Sequence, residues 1–195
     1  MASWLKAAAW AAILMPLTLV LHEAAHYVGY LIYDLPNPTL SYASGGFEGM
    51  RQYWIMLREG EREAAEAIAP IFGVGISALF GPALTFLMGA VGMYLLAARN
   101  SIFGGALALA CFWRAGAIAL LYVLGRPEHT DEAHIAITLG IPDVPNMLAG
   151  VAALIAALWL LFTRLGWRIV LAMIVGVGVS LTVWMTALGP LLLPE

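Results

Sequence analysis

Two histidines and a glutamate, His22, Glu23 and His26, stand in the order H-E-x-x-H near the far end of a long apolar stretch. On a helix, residues four apart share a face, so both imidazoles can grip one metal ion. The carboxylate between them can then take a proton from a metal-activated water. The setting sharpens this reading. The motif sits inside the first apolar run, Leu5 to Ile32, and ionisable groups in lipid are costly and mark function by default. The plain alternative is a hydrogen-bonded cluster with only a structural role.

A catalytic zinc keeps three protein ligands and one open position, so a third ligand must come from elsewhere. Apart from His22 and His26, every histidine lies between Gly125 and Pro145, among Glu128, Asp131, Glu132 and Asp143. Asp131 is the first choice. It follows Thr130, which can cap a helix running on through Ala133, Ile135, Ala136 and Ile137. At that helix start the dipole favours its carboxylate. His134, three residues on, comes next, ahead of Glu132 and His129. Glu128 and Asp143 read as surface residues. Arg114 lies midway along a later apolar run, where a permanently charged guanidinium needs a partner. Glu23 or Asp131 can be that partner. Arg114 then serves either as one half of a structural ion pair or as a donor to a developing oxyanion.

These residues have to be positioned by membrane helices. Of 195 residues, 63% are hydrophobic and 11% charged, which is not the balance of a soluble domain. The expected fold is an all-α polytopic membrane protein. It has about five transmembrane helices and a short β-like segment after the first, in one transmembrane domain over residues 1–195. The spans are 5–32, 67–97, 101–124, 147–163 and 169–188, with polar islands at 33–66 and 125–145. At roughly 46 Å, a helix over the second run would exceed a hydrocarbon core of about 30 Å. It contains Pro70 and Pro82, so it should tilt, kink or begin outside the bilayer. The start resembles a signal peptide, but its apolar run is long for one and carries the H-E-x-x-H motif, so it is expected to be retained. Five spans put both islands on one side, the side toward which His26 points.

Within the first island, Asp34, Pro36, Asn37 and Pro38 should end the first helix. Thr39 to Phe47, with Gly45-Gly46, suggests a strand or hairpin. Arg51 to Glu66 reads as one amphipathic interfacial helix, with Trp54, Leu57, Ala64, Ala65 and Ile68 on one face. Gly73, Gly75, Gly81, Gly89 and Gly92 are spaced for close helix packing. Trp4, Trp54 and Trp167 suit interfacial belts. The single cysteine, Cys111, excludes an intramolecular disulfide and a cysteine metal cluster. No basic run points to nucleic acid. Lys6, Arg99, Arg164 and Arg168 on one side balance Arg51, Arg58, Arg62 and Arg126 on the other, so charge leaves the orientation open.

The segment Leu21-His22-Glu23-Ala24-Ala25-His26 resembles the zinc motif of the site-2 protease family of intramembrane metalloproteases. The glycine-containing segment after the first span is similar to that family's membrane-associated strands. Thr130-Asp131-Glu132-Ala133-His134 stands where the family places its third ligand, although the family's Leu-Asp-Gly signature is absent. The resemblance covers roughly residues 5–140. It implies a minimal, core-only member with one Zn2+ per chain on His22, His26 and Asp131, and with Glu23 as the proton acceptor. The implied reaction is hydrolysis of a peptide bond in or near a transmembrane segment of a membrane-protein substrate. The unwound substrate would pair with the edge of Thr39–Phe47, meeting Ser41, Ala43, Gly45 and Gly46. Two other classes compete. Glu23-x-x-His26 and Asp131-x-x-His134 are both carboxylate-x-x-His pairs, the building unit of di-iron helix-bundle oxidoreductases. A non-catalytic membrane protein that retains a metal site is the other.

Overall fold

The computed structural model describes residues 2–194, except for the side chain of His129. Helix α1 (Ser3–Ile32) carries the H-E-x-x-H motif. Two minute strands follow, β1 (Thr39–Leu40) and β2 (Gly45–Gly46), antiparallel with Thr39 opposite Gly46. Helices α2 (Met50–Glu59) and α3 (Arg62–Ile68) complete the first island. Then come α4 (Ile71–Arg99) and α5 (Ile102–Val123). A 3-10 turn (Pro127–His129) and α6 (Asp131–Leu139) form the second island. Last are α7 (Val144–Leu165) and α8 (Trp167–Val183), the latter continuing through a π-helical turn (Trp184–Leu188) into α9 (Gly189–Leu192). Helices α1, α4, α5, α7 and the α8–α9 unit are long and apolar enough to span a membrane. The chain is an integral, multi-pass, all-α membrane protein.

The boundaries have local causes. The second apolar run starts its helix at Ile71, not residue 67. Pro70 cannot continue α3, and Glu66 Oε2 accepts the Ile71 N–H at 2.8 Å as a cap supplied by the preceding helix. The amphipathic stretch expected as one helix is two. Gly60 takes φ +86° and closes α2 with a left-handed cap, so the chain turns before α3. Helix α7 begins at Val144, inside the expected island. Asp143 Oδ1 accepts the Val144 N–H at 2.8 Å, and Pro145 fits the first turn.

Helix α1 is the central element, packed against α8, α4 and α5. Its first half buries Ala7, Ala11, Leu14 and Met15 against Leu109, Val170, Met173 and Val177. Pro16 deprives the Ala12 carbonyl of its helical donor, and the Ser180 hydroxyl of α8 donates to that oxygen instead. A second core lies under the islands, where Tyr30, Phe47, Tyr53, Trp54 and Leu57 pack together. The islands meet there. The Trp54 ring stacks on His134 with centroids 4.0 Å apart, and Arg62 Nη1 donates to the Ile137 carbonyl at 3.4 Å.

Lipid offers little hydrophobic drive between helices, so close backbone approach matters. At Gly92 a Cβ would stand 2.6 Å from the Ala108 nitrogen and 2.7 Å from the Gly104 oxygen, both backbone atoms of α5. Gly92→Ala should therefore destabilise the fold by about 1–3 kcal/mol. Gly178→Ala, where a Cβ meets nothing within 4 Å, should be neutral or slightly stabilising. Thermal unfolding of the two variants in one detergent tests the pair. Equal melting temperatures would mean that the α4–α5 crossing is not so close.

Candidate metal centre

The helical spacing of four does what it must. His22 and His26 are buried on one face of α1, with their Nε2 atoms 3.1 Å apart. Each ring is aimed by α4. His26 Nδ1 donates to the Ser77 carbonyl at 3.0 Å, which leaves its Nε2 lone pair free. His22 Nδ1 pairs with Thr85 Oγ1 at 2.8 Å. The second island closes the set. Thr130 caps α6 by accepting the Ala133 N–H, so Asp131 opens the helix and its carboxylate reaches the imidazoles. Asp131 Oδ2 lies 3.0 Å from His22 Nε2, and Oδ1 lies 3.6 Å from His26 Nε2.

These separations suit one ion. Metal bonds of about 2.0–2.1 Å in tetrahedral geometry put neighbouring donors roughly 3.3–3.4 Å apart. Here the two imidazole nitrogens lie 3.1 Å apart, and the Asp131 carboxylate approaches His22 with one oxygen at 3.0 Å and His26 with the other at 3.6 Å. His22, His26 and Asp131 thus form a group able to hold a metal ion. The backbone leaves room for it. A Cβ at Gly81 would stand 2.3 Å from His26 Nε2 and 2.7 Å from His22 Nε2. Ser77, Gly81 and Thr85, each four residues apart on α4, face His26 and His22 across the antiparallel pair.

Arg114 offsets part of the negative charge of two carboxylates. Its Nη2 donates to Asp131 Oδ2 at 3.0 Å and its Nη1 to Glu23 Oε1 at 3.3 Å. The other Glu23 oxygen, Oε2, accepts the Gly45 N–H at 2.9 Å, which ties the hairpin to the metal helix. Burial opposes the charge on Asp131. The contacts with His22 and His26 and the Arg114 charge outweigh it and hold the carboxyl well below the usual range. A cavity of about 30 Å³ adjoins the group, walled by His22, Thr85, Cys111, Arg114, Asp131 and Glu132. It has room for one or two waters.

The remaining candidates fall elsewhere. His134 is not among the converging donors, because its ring stacks on Trp54, and burial there pushes its pKa down. Glu132 lines the cavity with a buried Oε2 that finds no hydrogen-bond partner among the described residues, and burial raises its pKa. The His129 side chain lies outside the described residues. Asp143 is half-buried rather than a simple surface residue, since Oδ2 accepts the Tyr122 hydroxyl and Oδ1 caps α7. Ser41 and Ala43 do not offer a free strand edge. The strands are only two residues long, so both fall in the turn, where the Ser41 N–H donates to Ser44 O at 2.9 Å and the Ala43 N–H points to Ser41 Oγ. Tyr42 between them bonds to Leu193 and to Trp184 Nε1, at the far end of the chain. Gly45 and Gly46 form β2, and Gly45 is buried against α1.

From its spacing Gly81 reads as a helix-packing glycine, and Ser77 and Thr85 carry no mark of their own in the sequence. The i, i+4, i+8 spacing of Ser77, Gly81 and Thr85 was the available signal, but only pairing with α1 gives it meaning. Comparison with family models, with curated proteins and with solved structures gives no match.

Two substitutions probe the centre. Gly81→Ala should leave helical content intact and lower metal affinity by at least tenfold, because the methyl occupies the space between the imidazoles. Asp131→Ala should strip the metal whereas His134→Ala should not, as read by metal analysis of purified protein. A Gly81→Ala protein that binds metal like wild type would put the ion elsewhere.

Proposed function

We infer that this chain is an intramembrane zinc metallopeptidase of the site-2 protease kind, hydrolysing a peptide bond in or near a transmembrane segment. The observation that carries this reading is the convergence of two helix-borne imidazoles and one carboxylate beside Glu23, inside a membrane bundle. Two nitrogens and one oxygen with no thiolate suit Zn2+. When bound, such an ion supplies Lewis acidity toward a carbonyl and acidifies water. The chain's residues do the rest. Glu23 is the proton carrier. Its Oε1, held by Arg114 at the longer distance of 3.3 Å, takes the proton from the attacking water and returns it to the leaving amine. Gly45 keeps the other oxygen fixed. Ser77 and Thr85 keep the imidazoles aimed. The substrate segment has to unwind before its carbonyl can enter, because helical peptide groups are shielded by their own hydrogen bonds.

Glu23→Gln separates binding from chemistry. The variant should keep about one zinc per chain, since the glutamate is not a ligand in this motif. It should lose hydrolysis by at least a hundredfold, since an amide cannot accept the proton. The assay is mass spectrometry of single-span peptides incubated with the protein in liposomes. Cleavage that persists in Glu23→Gln would remove Glu23 from this role. A wild-type protein that takes up no zinc would remove the reading altogether.

A further inference from the structure

We propose that Arg114 is a resident counter-cation that a divalent metal must displace from Asp131, so that it sets the affinity of the centre. The proposal rests on the assignment of His22, His26 and Asp131 as ligands. One planar guanidinium spans two carboxylates from different elements, Glu23 on α1 and Asp131 on α6. The Asp131 oxygen it holds, Oδ2, is the same oxygen that lies 3.0 Å from His22 Nε2. An entering ion and the guanidinium would thus draw on the electron density of the same oxygen, so each weakens the other's hold on it.

Three physical effects follow, and all have one sign. An entering divalent ion loses part of its ligand to Arg114. It also meets a fixed positive charge in contact with that ligand, in a site where burial leaves repulsion poorly screened. In the metal-free form, Arg114 lowers the energy of two neighbouring carboxylates that would otherwise repel each other. Each effect favours the metal-free state over the loaded one. The shift required is small, the lengthening of one hydrogen bond, and Arg114 already borders the cavity beside the triad. Such a shift would also loosen the 3.3 Å contact to Glu23 Oε1, coupling metal entry to release of the proton carrier.

The test titrates Zn2+ alone into the full-length protein in detergent, against a competing chelator, for wild type, Arg114→Gln, Arg114→Lys and His22→Ala. Arg114→Gln should bind zinc at least about tenfold more tightly than wild type. Arg114→Lys, a point charge unable to bridge both carboxylates, should fall between them. Metal-free Arg114→Gln should melt below wild type and gain more from saturating zinc. Should that variant fold only in zinc, the Arg114→Lys affinity decides. Equal or weaker binding in the Arg114 variants overturns the proposal and makes the guanidinium a support that orients Asp131. Unchanged binding in His22→Ala would instead refute the ligand set itself.

Discussion

Inside a bilayer a charged group persists only where an opposite charge or a hydrogen bond meets it. Breaking one partner of such a buried pair costs about 3–5 kcal/mol, comparable to the whole stability margin of many domains. That constraint organises this molecule. Glu23, Arg114 and Asp131 come from α1, α5 and α6, and none of those elements can shift without leaving a charge unmatched. Helix α6 has nine residues, too few to stand alone in water. Its position is fixed by the Thr130 cap, by Ile135 in the interior and by the Asp131 carboxylate among its partners.

Against that electrostatic tie stands a steric one. Helices α1 and α4 run antiparallel, and each presents a ladder with a step of four residues. His22 and His26 form one ladder, and Thr85, Gly81 and Ser77 the other. A hydroxyl and a carbonyl orient the rings, and the glycine leaves the gap between them. Pro82 in the same stretch of α4 has no N–H to give the Ala78 carbonyl, so the ladder lacks one helical bond next to the Ser77 carbonyl. The polar demands of the imidazoles are thus met by a helix whose overall composition is apolar.

Much of this was legible in the residues. The H-E-x-x-H spacing, the five apolar runs, the Thr130 cap and the placement of Asp131 all follow from local pattern. What was not legible depends on distant partners. Nothing in Arg51–Glu66 alone decides whether Gly60 continues or ends a helix, and a left-handed glycine cap ended it. Glu66 looked like solvated charge but caps the next helix. Ser41 and Ala43 looked like a strand edge, yet a four-residue turn claims their N–H groups, and Trp184 and Leu193, some 140 positions later, hold Tyr42.

The anchoring of α1 at both ends also bears on how such a chain can change over generations. Near its start, Ala8 and Ala11 abut Gly176, and Ser180 holds the Ala12 carbonyl; further on, the two imidazoles engage α4, and Gly29 lies against Ser77. Inserting or deleting a single residue between Ala12 and His22 would turn everything beyond it by about 100° relative to the first half. Both rings would swing out of register with Thr85 and Ser77. The turns at Gly125 and Gly140 lie outside that register and border open space, although each glycine holds a positive φ that a side chain would strain. Descendants of this sequence can therefore lengthen or shorten their connecting turns, but α1 has to be inherited at a fixed number of residues.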